Sequence, residues 1–104
     1  MKGEVVTILF PFSDLSASKA RPALIVIDLP GEDVVVAQIT SSSGDPNAIS
    51  LEAKDFQTGG LSHSSFVRPA KLFTIERKLI GRVVGKLSDS KRREVVSKLT
   101  SLIG

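Results

Sequence analysis

Phe10-Pro11-Phe12-Ser13-Asp14-Leu15-Ser16-Ala17-Ser18-Lys19-Ala20-Arg21-Pro22-Ala23-Leu24-Ile25-Val26-Ile27 is the stretch on which the reading of this chain turns. It runs from the end of an apolar strand, through a loop of small polar residues, into a second apolar strand. Pro22 fixes its own φ and biases Arg21 toward extended backbone, so Arg21 is expected to open the second strand. A guanidinium held at a strand end beside a loop is well placed to meet an anion. A solvated arginine capping a strand is the alternative that this stretch leaves open.

Outward toward the N-terminus, Val5 to Phe10 is continuous, apolar and rich in β-branched residues, which predicts a strand buried on both faces. Pro11 ends its pairing. On the other side, Arg21 to Asp28 forms the second strand, Leu29-Pro30-Gly31-Glu32-Asp33 a turn, and Val34 to Thr40 a third strand. That strand breaks into the polar loop Ser41-Ser42-Ser43-Gly44-Asp45-Pro46-Asn47. Ala48 to Glu52 alternates like a short strand. Residues 54–62, with Gly59-Gly60, are expected to form an irregular crossing or a single helical turn. Ser64 to Phe73 reads as a fifth strand with an edge or a bulge at Pro69. Residues 74–86 are ambiguous, although Arg82 to Leu87 is more strand-like than helical.

The C-terminal segment predicts a helix, N-capped by Ser88 with Asp89 in its first turn. Arg92, Val95, Val96, Leu99, Leu102 and Ile103 share one face at helical spacing, a stripe expected to bury against the sheet or a second subunit. Five or more short strands and one terminal helix predict a mainly β fold, a small, strongly curved sheet or barrel in one domain spanning residues 1–104.

Composition narrows the chemistry. The 104-residue chain has no cysteine and a single histidine, so disulfides and thiolate chemistry are excluded and a zinc site lacks ligands. No apolar run approaches the ~20 residues of a membrane span, and the start shows no signal-peptide layout, so a cytoplasmic protein with no membrane association is expected. Residues 1–67 carry four basic and eight acidic side chains, whereas residues 68–104 carry ten and three. So basic a C-terminal third suggests a polyanion or an acidic peptide as partner. There is no phosphate-binding glycine loop, dinucleotide fingerprint or nucleophile elbow. What remains is two arginines before prolines, Arg21 and Arg68, and a Thr-Ser run at the end of the third strand. If the second and third strands pair as a hairpin, Arg21 and Thr40 meet at one sheet edge, a cation beside hydroxyls that can hold a phosphodiester.

Gly3-Glu4-Val5-Val6, Phe10-Pro11-Phe12, Arg21-Pro22-Ala23-Leu24-Ile25-Val26, Ile39-Thr40-Ser41, the run from Ser65 to Ile75, and Gly85-Lys86-Leu87-Ser88 together resemble the PemK/MazF (Kid-like) toxins of bacterial toxin–antitoxin pairs. The blocks fall in order over nearly the whole chain. The resemblance implies a small SH3-like barrel with a C-terminal helix, acting as a homodimer. It also implies a metal-independent, cofactor-free endoribonuclease that cuts single-stranded RNA at short sequences and is neutralised by a cognate antitoxin with an acidic segment. By the same resemblance the catalytic positions fall on Arg21, Thr40 and Ser41, and a second arginine of some members falls on Arg68; beside these, Lys71, Ser42 and, next to the first loop, Phe12 are read as further RNA-binding residues. Two features depart from the family pattern: Ala70 stands where some members carry an Asp proposed as base, and the first loop is short.

The implied chemistry asks little of the protein, because the ribose 2′-OH is the internal nucleophile. The site must align that oxygen, stabilise charge on the phosphorane, and protonate the departing 5′-oxygen. Arg21 offers a planar fork of donors, and Thr40 and Ser41 offer hydroxyls. Asp14 is the candidate base, with His63 second. Two other functions are compatible with the same fold: a CcdB-like gyrase poison that blocks a protein target, and a degenerate module that binds nucleic acid or antitoxin without catalysis.

Overall fold

A computed structural model of the chain describes residues 1–9 and 20–104. Seven strands form one antiparallel sheet: β1 (Glu4–Leu9), β2 (Ala20–Asp28), β3 (Asp33–Thr40), β4 (Ile49–Leu51), β5 (Phe56–Gly59), β6 (Ser65–Glu76) and β7 (Ile80–Leu87). The helix α1 (Asp89–Ile103) follows, the one α-helix among the described residues. The sheet order is β4-β6-β3-β2-β1-β7-β5. The sheet is curled, as the SH3-like expectation requires. No helix among the described residues is long and apolar enough to cross a membrane.

The three central strands show why continuous apolar runs were needed. Along β1, Val5 faces one core cluster with Leu24, Ala37, Leu51, Val67, Leu87 and Val95, while Val6 and Ile8 face a second with Ala23, Ile25, Val34 and Val36. Alternating side chains point to opposite faces, and the curl covers both, so neither face of β1, β2 or β3 is left to polar residues.

Of the two readings of residues 54–62, an irregular crossing or a single helical turn, the turn is found, and a strand not expected there follows it. A 3-10 turn (Ala53–Asp55) leads into β5, which pairs with β7. Gly59 sits at φ +65, and a Cβ there would run into the Val84 carbonyl oxygen, so the strand closes on β7 only because this residue has no side chain. Within the one chain, the sheet covers part of the apolar stripe of α1, the rest being the part for which a second subunit was the alternative. Val95 is buried and Leu99 packs beside it, but Val96, Leu102 and Ile103 are exposed. The line facing the sheet runs through Lys91 and Val95 instead, one helical turn apart. Lys91 tolerates burial because its Nζ lies 2.9 Å from Glu94 Oε1 and 3.8 Å from Asp55 Oδ2. Ser88 caps the helix as expected, accepting from the Lys91 amide at 3.2 Å.

The interruption at Pro69 is a bulge. Leu72 pairs with Ala37 and Arg68 with Gln38, so Pro69, Ala70 and Lys71 have no partners on β3. The undecided segment 74–86 resolves into the end of β6, a 3-10 turn (Arg77–Leu79) and most of β7. Arg77 anchors that turn by donating to the carbonyls of Gly31 (3.2 Å) and Leu29 (2.7 Å) while pairing with Asp28 at 2.9 Å. Arg77, then the N-terminal ammonium, hold the Asp28 carboxyl below its ordinary range.

Candidate active site

β2 and β3 pair with Ala23 opposite Gln38, and the same register carried two residues on sets Arg21 opposite Thr40. Both side chains line one open groove of about 740 Å³ that also takes in Ser41 and Ser42. Pro22 keeps Arg21 in extended backbone at the mouth of the hairpin, as its sequence position requires.

The Thr40 hydroxyl is oriented by its own turn. Its Oγ1 accepts from the Ser42 amide at 3.1 Å. A hydroxyl has two lone pairs and one proton. With the backbone amide on a lone pair, the proton stays available to an incoming oxygen. The loop between β3 and β4 is braced as well: Asp45 Oδ1 accepts from the Asn47 amide at 2.8 Å, and Asp45 Oδ2 receives Arg68 Nε at 2.9 Å.

The opposite wall comes from the segment after β5. Leu61 packs against the core, and Ser62 and His63 line the groove. This segment runs from β7, where the Gly60 amide donates to the Val84 carbonyl, to β6, whose Phe66 pairs with Thr40, and so it spans the groove between the two. The backbone around His63 is tied on its C-terminal side. Ser64 Oγ donates to Glu52 Oε2 at 2.9 Å, and Ser65 Oγ donates to the His63 carbonyl at 3.0 Å. The floor is formed by Thr7 on β1 and by Arg82 and Val83 on β7. Among the described residues the lining holds two arginines, a histidine and several hydroxyls but no carboxylate. Such a surface concentrates anions.

The remaining sequence candidates fall elsewhere. Arg68 lines a smaller recess of about 220 Å³ that adjoins the groove through Thr40 and Ser42. Two of its donors are engaged, Nε with Asp45 and Nη1 with Gln38 Oε1 at 2.9 Å. The Arg68 guanidinium, then the Asn47 amide, hold the Asp45 carboxyl below its ordinary value. Lys71 and Ala70 are exposed in the β6 bulge, outside the groove lining. Asp14 and Phe12 lie outside the described residues. Arg82 was not singled out in the sequence. Its one signal was Gly81, an isolated glycine opening a β-branched run, which marks a bulge or a close backbone approach.

A family model described as PemK-like, MazF-like toxin of type II toxin-antitoxin system matches residues 1–103. The chain belongs to the PemK/MazF toxin family. Solved structures of similar shape include an endoribonuclease in complex with its cognate antitoxin from a mycobacterial species. It is 19% identical with a TM-score of 0.76, and the match covers 100% of this chain and 94% of that one. MazF from Deinococcus radiodurans is 23% identical with a TM-score of 0.74, over 99% of this chain and 94% of the other. The Mycobacterium tuberculosis toxin MazF-mt6 is 22% identical with a TM-score of 0.73, over 94% and 93%. At these identities the likeness establishes the PemK/MazF fold. No functionally curated protein matches the sequence.

Proposed function

We propose that the protein is a metal-independent endoribonuclease toxin that cuts single-stranded RNA by attack of the ribose 2′-OH. The observation that carries this reading is the convergence of Arg21, Thr40 and Ser41 on one groove, whose lining among the described residues holds no carboxylate, in a chain of the PemK/MazF family. Arg21 binds the non-bridging oxygens of the scissile phosphate with its fork of donors. Thr40, its hydroxyl oriented by the Ser42 amide, donates to the same phosphate, and Ser41 and Ser42 position the sugar–phosphate backbone. Preorganised donors of this kind stabilise the phosphorane more than the ground-state diester, which has less charge to share.

In the reaction a bond forms between the 2′-oxygen and phosphorus while the bond to the 5′-oxygen breaks. The 2′-OH proton passes to Asp14, the acceptor suggested by the sequence. His63, on the groove wall, supplies a proton to the departing 5′-oxygen. The products are a 2′,3′-cyclic phosphate and a 5′-hydroxyl. Arg68, in the adjoining recess, and Lys71 and Phe12 contact the RNA farther from the cut. Ala70 lies in the bulge rather than in the lining of the groove, so the missing Asp at that position leaves the proposed machinery intact. Homodimer assembly and neutralisation by an antitoxin with an acidic segment complete the proposal, on the strength of family membership.

The test is incubation of purified protein with long single-stranded RNA in excess chelator, followed by end-group analysis. Cleavage to 2′,3′-cyclic phosphate ends is expected, with DNA and 2′-O-methyl RNA left intact. Cleavage abolished by chelator, or equal cleavage of DNA, defeats the mechanism. Inhibition of a topoisomerase with no RNA cleavage supports the gyrase-poison alternative instead.

A further inference from the structure

β7 pairs with β1 through Val83 opposite Val6 and Ile80 opposite Ile8, so Gly81 and Arg82 together face the single residue Thr7. Two residues against one is a bulge, a device that bends a strand and re-aims a side chain. Thr7 holds this bulge in place, its Oγ1 accepting from the Arg82 amide at 3.1 Å. The arrangement needs glycine next door, because a Cβ on Gly81 would lie 2.7 Å from Thr7 Oγ1. Three features of the sequence, Thr7, Gly81 and Arg82, thus combine to present one cation.

That cation lines the same groove as Arg21. No carboxylate among the described residues pairs with it, whereas Arg68 and Arg77 are both committed to acidic partners. β2 and β7 flank β1 on opposite sides, so the backbones bearing Arg21 and Arg82 are two strand spacings apart, about 10 Å. A lone phosphate does not require two cations on strands this far apart. A single-stranded polyanion crossing the groove from β2 to β7 meets one, then the other.

We propose that the Gly81–Arg82 bulge forms a second phosphate subsite, in which Arg82 holds a phosphate flanking the one at Arg21 and so fixes the direction in which RNA crosses the groove. The inference rests on the ribonuclease reading above and adds to it a backbone-positioning residue. A contact of this kind acts through counterion release, is indifferent to base identity, and governs binding more than the chemical step.

The experiment uses a labelled single-stranded RNA, 2′-O-methylated throughout, carrying a sequence that the parent protein cuts when unmodified. Its affinity is measured over a salt series for the parent, Arg82→Ala, Arg82→Lys and Gly81→Ala, with thermal melting as the folding control. Arg82→Ala is expected to weaken binding about tenfold at low salt and to flatten the log–log salt slope by about 0.7. Arg82→Lys should keep most of that slope. Gly81→Ala, with Arg82 still present, should lose affinity because the bulge shifts. In single-turnover cleavage, the deficit of Arg82→Ala should be larger at subsaturating than at saturating enzyme. A neutral methylphosphonate placed at successive positions should weaken the parent at one flanking phosphate and leave Arg82→Ala unaffected there. If the parent cuts RNA while Arg82→Ala keeps its affinity and salt slope, this subsite is refuted and the ribonuclease reading stands. If the parent neither cuts nor binds RNA, both fall.

Discussion

The decisive perturbation is at Thr40. Its hydroxyl has two assigned tasks: Oγ1 accepts from the Ser42 amide at 3.1 Å, and its proton is left for the phosphate. Thr40→Val keeps the shape and removes both, whereas Thr40→Ser keeps both. The structural task is cheap to lose, since this hydrogen bond is exposed to water and is worth at most about 1 kcal/mol. In a domain of this size that is a fall in Tm of roughly 4–8 °C. The catalytic task is expensive to lose. Removing one preorganised donor to a developing oxyanion costs about 2.7–4 kcal/mol, a 10²–10³-fold fall in the rate of the chemical step. Single-turnover cleavage at saturating enzyme, paired with thermal melting, separates the two. Thr40→Val should melt within a few degrees of the parent yet cut about two to three orders of magnitude more slowly, while Thr40→Ser should stay close to the parent in both. Arg21→Lys is the companion variant; it retains the charge, loses the planar fork, and should fall almost as far as Arg21→Ala. A Thr40→Val enzyme that melts and cleaves like the parent refutes the assignment of the groove as the active site.

His63→Ala should reduce cleavage of ordinary RNA by about 10²–10⁴-fold. It should recover on a substrate whose leaving 5′-oxygen is replaced by sulfur, since a thiolate departs without a proton; an equal deficit on both substrates counts against His63 as the proton donor. Asp45 predicts a pH signature. Its carboxyl is held below the ordinary 3.8 by Arg68 and the Asn47 amide, so its contribution is present at neutral pH and is lost as pH falls through the lowered value. The gap in urea midpoint between the parent and Asp45→Asn should therefore be constant from neutral pH to about 5 and close in stronger acid; a gap that persists there speaks against the Arg68 pairing. Leu51, 1% exposed in the first core cluster, tests the role of the short β4 strand. Leu51→Ala should cost about 2–5 kcal/mol and lower Tm by at least roughly 10 °C; a shift within about 3 °C shows that β4 is not part of the cooperative core.

What the chain could say by itself was whatever local chemistry dictates. Continuous apolar runs at residues 5–10, 21–28 and 34–40 announced strands, the first of them covered on both faces, and both core clusters draw on all three. Pro22 announced that Arg21 lies at the start of a strand, Pro69 an edge or a bulge, and Ser88 a helix start. Each is a matter of φ, hydrogen-bond donors or side-chain branching, which a residue carries with it. Arg21 and Thr40 could be paired before any coordinates, because a hairpin relates its strand ends by counting.

Tertiary structure alone decided the rest. No local property of His63 places it near Thr40; the pairing of β6 with β3 does, because Phe66, three residues on from His63, lies opposite Thr40. The sequence marked Arg68, an arginine before a proline, and passed over Arg82. Asp45, more than twenty residues away, engages Arg68, while the register slip of β7 against Thr7 turns Arg82 into the groove. The helix shows the same limit. Its apolar spacing was legible, but which line of the helix meets the sheet depends on the sheet's width and on Asp55 being there to receive Lys91. Residues carry their conformational preferences with them, and register and curvature, properties of the whole sheet, determine which of them meet.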